Sequence, residues 1–491
     1  MAVVQSRMGR ERAGLLLSAG AFAALLLAPF PALTPEAHRL AAIIAAVVVL
    51  WISEAIPLPA TALLGAVACV ALRVAPARQV FAPFADPLMF LFIGAFILAR
   101  AIFLHHLDRR LAYAALAIPW VGASPARILL AFGAVTALIS AWISNTATTA
   151  MMFGIGTSIL AALGADLRRG ESASRYATAM MLMTSFAASI GGLATPVGTP
   201  PNLIGLGFMR TILGVEVPFF RWVLIGAPVV LALYVLLYLW LRFVSRGDGG
   251  DLRATRELIR QERAALGPWT RAQRSVAIAF GLTVALWVLP GVVALAAGER
   301  SPAYHVLSER LPEGVAALIG ALLLFLLPGE KGTRAITWDE AVKIDWGVVL
   351  LYGGGFALGV LAFETGLAEA AGRGLTARLP IEGETGLLVA SVIVAVLLSE
   401  TTSNTASANM VVPVVISISQ AAGMDPFAPA LGATMAASLG FMLPVSTPCN
   451  AIVYGSGLVP LSRMMRWGLV LDVLGAIVIV ALVSLLAPLA R

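Results

Sequence analysis

Two short stretches place ion-binding side chains inside otherwise apolar sequence. "AWISNTATTAMM", starting at Ala141, carries Ser144, Asn145, Thr146, Thr148 and Thr149, and "ETTSNTASANMV", starting at Glu400, repeats the Ser-Asn-Thr core at Ser403, Asn404 and Thr405. Hydroxyl and amide oxygens can ligate a hard cation such as sodium, while hydroxyl and amide protons can donate to a carboxylate. Each stretch is followed by a proline break, "GTPPN" from Gly198 to Asn202 and "STPCN" from Ser446 to Asn450. A helix that turns or breaks inside a membrane leaves free carbonyls at one end and free N–H groups at the other. The carbonyl end suits a cation and the N–H end an anion, and proline enforces the break because it has no N–H to give. One island with one break makes one cation site. Two copies make two, with an anion held between the Ser144-Asn145-Thr146 and Ser403-Asn404-Thr405 tips.

Neither island nor break contains Arg, Lys or His. The positive charge opposite an anion must then come from bound cations, which couples anion affinity to cation concentration by linkage. A proton-driven alternative wants buried carboxylates. Glu400 is the candidate, and it reads more simply as hydrogen-bonded to nearby backbone; Glu54 and Asp472 are placed near span ends. Hydrolysis by Ser144 or Ser403 would need a base within hydrogen-bond reach. The motifs supply none, and His38, His105, His106 and His305 all fall near span ends, so no enzyme is expected. A lone Ser-Asn-Thr would read as helix packing or back-bonding, as Gly191-Gly192, Gly314, Gly320 and Gly353 to Gly355 do. It is the joint occurrence, twice, of an island and a Thr-Pro-x-Asn break that sets these residues apart.

The elements that must position them are membrane helices. Of 491 residues, 60% are hydrophobic and only 12% charged, too apolar for a soluble domain. Apolar runs near 20 residues recur, the length that crosses a hydrocarbon core, without the alternation of barrel strands. The fold class is an all-α polytopic membrane protein. Its first run, Ala13 to Ala32, is long for a signal sequence and reads as a retained helix. Cys69 and Cys449 lie far apart in apolar sequence and imply neither a disulfide framework nor a metal pattern.

Basic residues cluster at the N-terminus, at His105 to Arg110, Leu167 to Arg175, Arg242 to Arg274, Lys331 to Lys343 and Ser462 to Arg466. The positive-inside rule puts all of these in the cytoplasm, with the C-terminus outside. Spans at Leu40–Ile56, Leu58–Val74 and Leu88–Leu104 then lead to Arg127–Leu163, which must enter and leave on one side as a re-entrant hairpin. Spans at Val276–Ala297, Val315–Leu327 and Gly347–Phe363 lead in the same way to a hairpin at Gly386–Ala422, entered from the opposite side. Broken spans follow at Tyr176–Leu213 and Pro426–Leu458, and closing spans at Phe219–Val244 and Trp467–Leu486. Amphipathic helices at Phe103–Ile118 and Glu364–Leu379 fit the interface. The expected organisation is an N-terminal helix in 1–37, a first repeat in 38–245, a cytoplasmic linker in 246–274 and an inverted second repeat in 275–491. Within the first repeat, scaffold helices occupy 38–118, the hairpin and broken helix 125–213 and a closing helix 217–245; the second divides at 275–380, 385–458 and 466–487. That makes about eleven transmembrane helices and two re-entrant hairpins, the signature of a secondary transporter.

"WISEAIPLPATALL" from Trp51, "SIGGLATPVGTPPN" from Ser189, "TTSNTASANMVVPV" from Thr401 and "LPVSTPCNAIVYGS" from Leu443, together with the first island, resemble the divalent anion/sodium symporters. The resemblance covers nearly the whole chain. It implies a homodimer whose scaffold supports an elevator-like transport domain in the cytoplasmic (inner) membrane. It also implies a first sodium ion held by Ser140, Ser144, Asn145 and Gly198 and a second held by Ser399, Thr402, Asn404 and Ser446. Substrate carboxylates would meet Ser144, Asn145, Thr146, Thr199 and Pro200 on one side and Ser403, Asn404, Thr405, Thr447 and Pro448 on the other. Departures are mild: Ser399, Thr402 and Cys449 stand where the family more often has Thr, Ala and Pro. The function expected is sodium-coupled import of a small C4-dicarboxylate of the succinate, malate or fumarate type. Sodium-independent exchange, or citrate or sulfate as substrate, is the alternative within the same motifs. The expected partners are that anion, sodium, lipid and a second copy of the chain, with no nucleic acid.

Overall fold

Proline at the first helical position, preceded by a capping side chain, starts several of the helices, because its missing N–H is one the helix would leave free anyway. The computed structural model describes residues 2–164, 171–245, 252–298, 300–377 and 383–490. Helix α1 (Ala2–Leu27) pairs with α2 (Pro35–Ser53), whose cap is Thr34. The Ser18 hydroxyl donates to the Ala46 carbonyl at 3.1 Å, and the His38 ring lies 2.7 Å from that of Leu25. The first helix thus starts and stops earlier than its apolar run suggested. After α3 (Leu58–Ala71) and a short α4 (Ala77–Phe81) comes α5 (Pro87–Leu104), capped by Asp86, which also pairs with Arg210. His106, in the left-handed region, turns the chain from α5 into the amphipathic α6 (Leu107–Leu116).

The first hairpin is α7 (Pro125–Ser140) and α8 (Asn145–Ala162), followed by α9 (Glu171–Gly191), α10 (Pro200–Leu213) and α11 (Phe219–Val244). Gly214 ends α10 at φ +67°, a conformation that costs glycine nothing. The expected linker is not featureless. It contains α12 (Leu252–Ala265), which packs on α6 and α8 and buries Thr255 and Ile259. Residues 165–170 and 246–251, parts of two basic clusters, lie outside the described residues.

The second half runs through α13 (Arg271–Ala297), α14 (Pro302–Arg310), α15 (Glu313–Leu324), α16 (Trp338–Ala341) and α17 (Trp346–Glu364). Gly366 then turns the chain into α18 (Leu367–Thr376), as His106 does in the first half. The end of the expected amphipathic segment, residues 378 and 379, lies outside the described residues. The second hairpin is α19 (Gly383–Thr401) and α20 (Asn404–Ala421), followed by α21 (Phe427–Ala436), α22 (Pro448–Tyr454) and α23 (Leu461–Leu486). Among the described residues there is no strand, only a bridge between Pro328 and Arg334.

Helices α2, α5, α9, α11, α13, α17, α19 and α23 are long and apolar enough to cross a membrane, with α3, α7, α15 and α21 shorter and apolar. Helix α1 is absent from that set because Arg10, Glu11 and Arg12 shorten its apolar part. Leu295 and Leu485 are 75% and 70% exposed, and helices bearing such side chains belong in lipid rather than water. The frame is drawn together at small residues: a Cβ on Gly94 would lie 2.6 Å from the Ala317 backbone, and one on Gly354 would lie 2.6 Å from Ala62, the close approach that membrane helices use in place of hydrophobic contrast.

Around the hairpins the two halves interlock. Helix α10 packs on α20 and α21, whereas α22 packs on α8 and α9. Ser185 donates to the Asn450 side chain at 2.6 Å and Thr178 to the Leu458 carbonyl at 2.9 Å.

Candidate functional site

Both hairpins turn at their Ser-Asn-Thr motifs. Ser144 and Ser403 are the N-caps of α8 and α20, their hydroxyls accepting from the Ala147 and Ala406 N–H groups at 3.4 and 3.2 Å. The asparagines that follow are fixed from the opposite arm. Ser140, at the end of α7, donates to the Asn145 side-chain oxygen at 2.8 Å; Ser399, near the end of α19, lies 2.8 Å from that of Asn404 and 2.7 Å from the Ala437 carbonyl. The Asn145 amide reaches Thr199 in the first break and the Asn404 amide the Ser438 carbonyl in the second, each at 3.5 Å.

The breaks are wider than the prolines alone suggested. Helix α9 ends at Gly191, and regular α-helix resumes at Pro200; α21 ends at Ala436, and helix resumes at Pro448. The prolines start the second half-helices, and other residues stop the first. Asn202 and Asn450 hold the intervening chain, each donating its side-chain amide to the carbonyls ten and seven positions before it. Asn202 reaches Gly192 and Thr195 at 2.9 and 2.8 Å, and Asn450 reaches Gly440 and Leu443 at 2.8 and 2.9 Å. Thr195 ties the first break to the hairpin through the Ala141 carbonyl. Gly192, expected as a packing position, packs against the first tip, where a Cβ would lie 2.5 Å from the Asn145 oxygen, and one on Gly198 would lie 2.5 Å from the Gly192 carbonyl.

Glu400 braces the second break. Its carboxylate accepts from the Met442 and Leu443 N–H groups at 2.7 and 3.1 Å and from the Ser446 hydroxyl at 2.6 Å, the backbone-bonded role expected of it. Asp472 is not near a span end. It lies inside α23, 3% exposed, beside Glu400 and near the Phe441 N–H.

Every residue expected to meet substrate lines one cavity of about 720 Å³. Ser144, Asn145, Thr146, Thr199 and Pro200 come from the first half and Ser403, Asn404, Thr405, Thr447 and Pro448 from the second. Of the cation candidates, Gly198 and Ser446 line it too, while Ser140, Ser399 and Thr402 are buried behind it. The Thr402 hydroxyl donates back to the Leu398 carbonyl at 2.9 Å, which leaves its oxygen lone pairs for any ligand role. The wall also carries Arg100, Lys343 and Asp345, which no motif marked. Among the described residues no three His, Cys, Asp or Glu side chains cluster as a transition-metal site. The donors here are carbonyls, hydroxyls and amides, oxygen ligands that suit a hard cation.

A family model described as the sodium:sulfate symporter transmembrane region matches residues 10–489. The chain is 36% identical over 448 residues to the sodium-dependent dicarboxylate transporter SdcS of Staphylococcus saprophyticus, covering 89% of this chain and 84% of that protein. It is 34% identical over the same shares to the protein of that name from Staphylococcus aureus strain USA300. Among solved structures it is similar to the Alcanivorax borkumensis YdaH transporter, with TM-score 0.51, 14% identity and coverage of 82% and 85% of the two chains. It is also similar to Neisseria gonorrhoeae MtrF, with TM-score 0.55, 13% identity and coverage of 86% and 85%. At these identities the two structures share its fold alone.

Proposed function

We propose that this chain, which belongs to the sodium:sulfate symporter family, couples sodium entry to the uptake of a C4-dicarboxylate such as succinate, malate or fumarate. The observation that carries this is the shared cavity, walled by two hairpin tips that repeat the same Ser–Asn pairing at 2.8 Å. Each tip, with its break, offers oxygen donors to one sodium ion. Ser140, Ser144, Asn145 and Gly198 surround the first; Ser399, Thr402, Asn404 and Ser446 surround the second. The substrate carboxylates sit on the N–H ends of α8, α10, α20 and α22 with Thr146, Thr199, Thr405 and Thr447 beside them. The names of the relatives support the sodium and dicarboxylate assignments.

The interlocked hairpins and broken helices form one transport unit that moves against a scaffold built from α2, α3, α5, α13, α15 and α17, in a homodimer in the inner membrane. The N-terminus lies in the cytoplasm and the C-terminus outside. Radiolabelled succinate uptake into proteoliposomes under an inward sodium gradient, against choline, tests this. Strong sodium dependence with no internal substrate is the expected result. Uptake only against internal succinate, indifferent to sodium, would make the protein an exchanger instead, and competition by citrate and sulfate ranks the substrates.

A further inference from the structure

The hairpin tips carry no fixed positive charge, yet the cavity they line has one on its wall. Arg100, four residues before the end of α5, and Lys343, between α16 and α17, are its cationic lining side chains among the described residues. Both are held by one carboxylate: Glu340 lies 2.6 Å from an Arg100 Nη and 2.5 Å from Lys343 Nζ. The three side chains are 34%, 54% and 24% exposed for Arg100, Lys343 and Glu340, so the cluster sits where the cavity meets solvent. The guanidinium is also undersatisfied. It has five N–H donors, and its buried Nε–H meets no acceptor among the described residues. Asp345, the acidic residue on the same wall, accepts instead from the Val348 N–H at 3.2 Å and caps α17.

We propose that Arg100 and Lys343, the latter in a segment read as cytoplasmic, form an anion station at the cytoplasmic mouth of the transport cavity, which Glu340 occupies at rest and a substrate carboxylate takes over as it passes between the cytoplasm and the hairpin tips. This rests on the transport function inferred above. A cavity of about 720 Å³ has room for more than a four-carbon dianion seated at the tips, so the station and the tips are two places within one cavity. The station and the inner site are visited in turn. The Arg100–Lys343–Glu340 cluster carries one net positive charge, which Asp345 on the same wall offsets, so the attraction an incoming dianion feels is that of the two cations once it displaces Glu340. Because the cluster is partly exposed, the attraction is screened by salt and acts on capture rather than on the movement that follows.

The two kinds of substitution act in opposite directions, which a merely structural ion cluster would not do. Removing either cation weakens the station, whereas removing Glu340 vacates it. The test is initial-rate succinate uptake at fixed sodium by the full chain in right-side-out and inside-out vesicles, comparing wild type with R100Q, K343Q and E340Q. In the inside-out orientation, R100Q and K343Q should raise KM by roughly two- to fivefold and E340Q should lower it, changes of the size that exposed ion pairs support. The shifts should shrink when choline chloride is added and be absent right side out. KM unchanged in R100Q and K343Q at low salt, or raised by E340Q, would overturn the proposal. Lys343 is more than half exposed, so K343Q keeps the test decisive if R100Q does not fold. Sodium-driven uptake by the wild type separates the two inferences: if it is missing, the transport function fails; if it is present without the shifts, only the station does.

Discussion

The Ser140 hydroxyl lies 2.8 Å from the side-chain oxygen of Asn145 across the turn of the first hairpin. It donates one proton to an oxygen that has a second lone pair, so Asn145 is held in place and still able to ligand a cation. Ser399 and Asn404 repeat the 2.8 Å spacing, with the Ala437 carbonyl 2.7 Å from the same hydroxyl. Asn145→Ala and Asn404→Ala should each raise the sodium concentration for half-maximal uptake and the succinate KM by roughly ten- to a hundredfold, the loss of a charge-assisted interaction of about 1.5–3 kcal/mol. Sodium titrations of uptake with folded protein check this. Either variant leaving both parameters unchanged would remove its asparagine from the site.

Asn202 and Asn450 do the same work in the two breaks but differ in their third partner. The Asn450 oxygen accepts from Ser185, whereas that of Asn202 has no partner among the described residues. Each buried polar group orphaned costs about 1–3 kcal/mol. Asn450→Ala should therefore lower the thermal unfolding midpoint more than Asn202→Ala. Equal shifts would mean that Ser185 does not tie the halves together.

A Cβ at Gly198 would press on the carbonyls of Gly192 and Ala141, whereas one at Gly154 meets nothing within 4 Å. Gly198→Ala should abolish sodium-dependent succinate binding. Gly154→Ala should leave it intact and stabilise α8 by up to about 1 kcal/mol. Binding retained by Gly198→Ala would place the cation elsewhere.

Glu340 keeps its charge through the working range. Hydrogen bonds from Lys343, then Arg100, hold its carboxyl below its ordinary value of 4.5. A lowered native pKa makes the contribution to stability complete above the unfolded value and lost as pH falls through the native one. The difference in thermal midpoint between wild type and E340Q should be flat from about pH 6 to 8 and shrink on acidification below that ordinary value. A difference that instead grew with acid would contradict the pairing.

The hairpin tips were legible because Ser-Asn-Thr is costly inside an apolar run, and the restarts at Pro200 and Pro448 because proline suits a first helical position. The points where α9 and α21 stop were not. They depend on carbonyls recruited by Asn202 and Asn450 from further along the chain and on the fit of Gly192 and Gly198 beside the first tip. Asp472 was misplaced because its position in sequence does not reveal that α23 brings it beside Glu400. Helix α12 was hidden by its polarity, since its small buried face shows only when α6 and α8 are in place. Arg100 falls within the expected span Leu88–Leu104 and Lys343 at the end of a basic cluster; only the folded wall joins them to a cavity whose motifs lie elsewhere.

In the proposed function two cation sites hold one anion between them. The most direct measurement is equilibrium binding of labelled succinate to the purified chain as sodium is varied. Linkage makes the slope of log affinity against log sodium concentration, below saturation, the number of sodium ions taken up with the anion. The slope should approach two, falling towards one in a variant that loses a single site. A slope of zero, with succinate bound equally well in choline, would contradict that proposal.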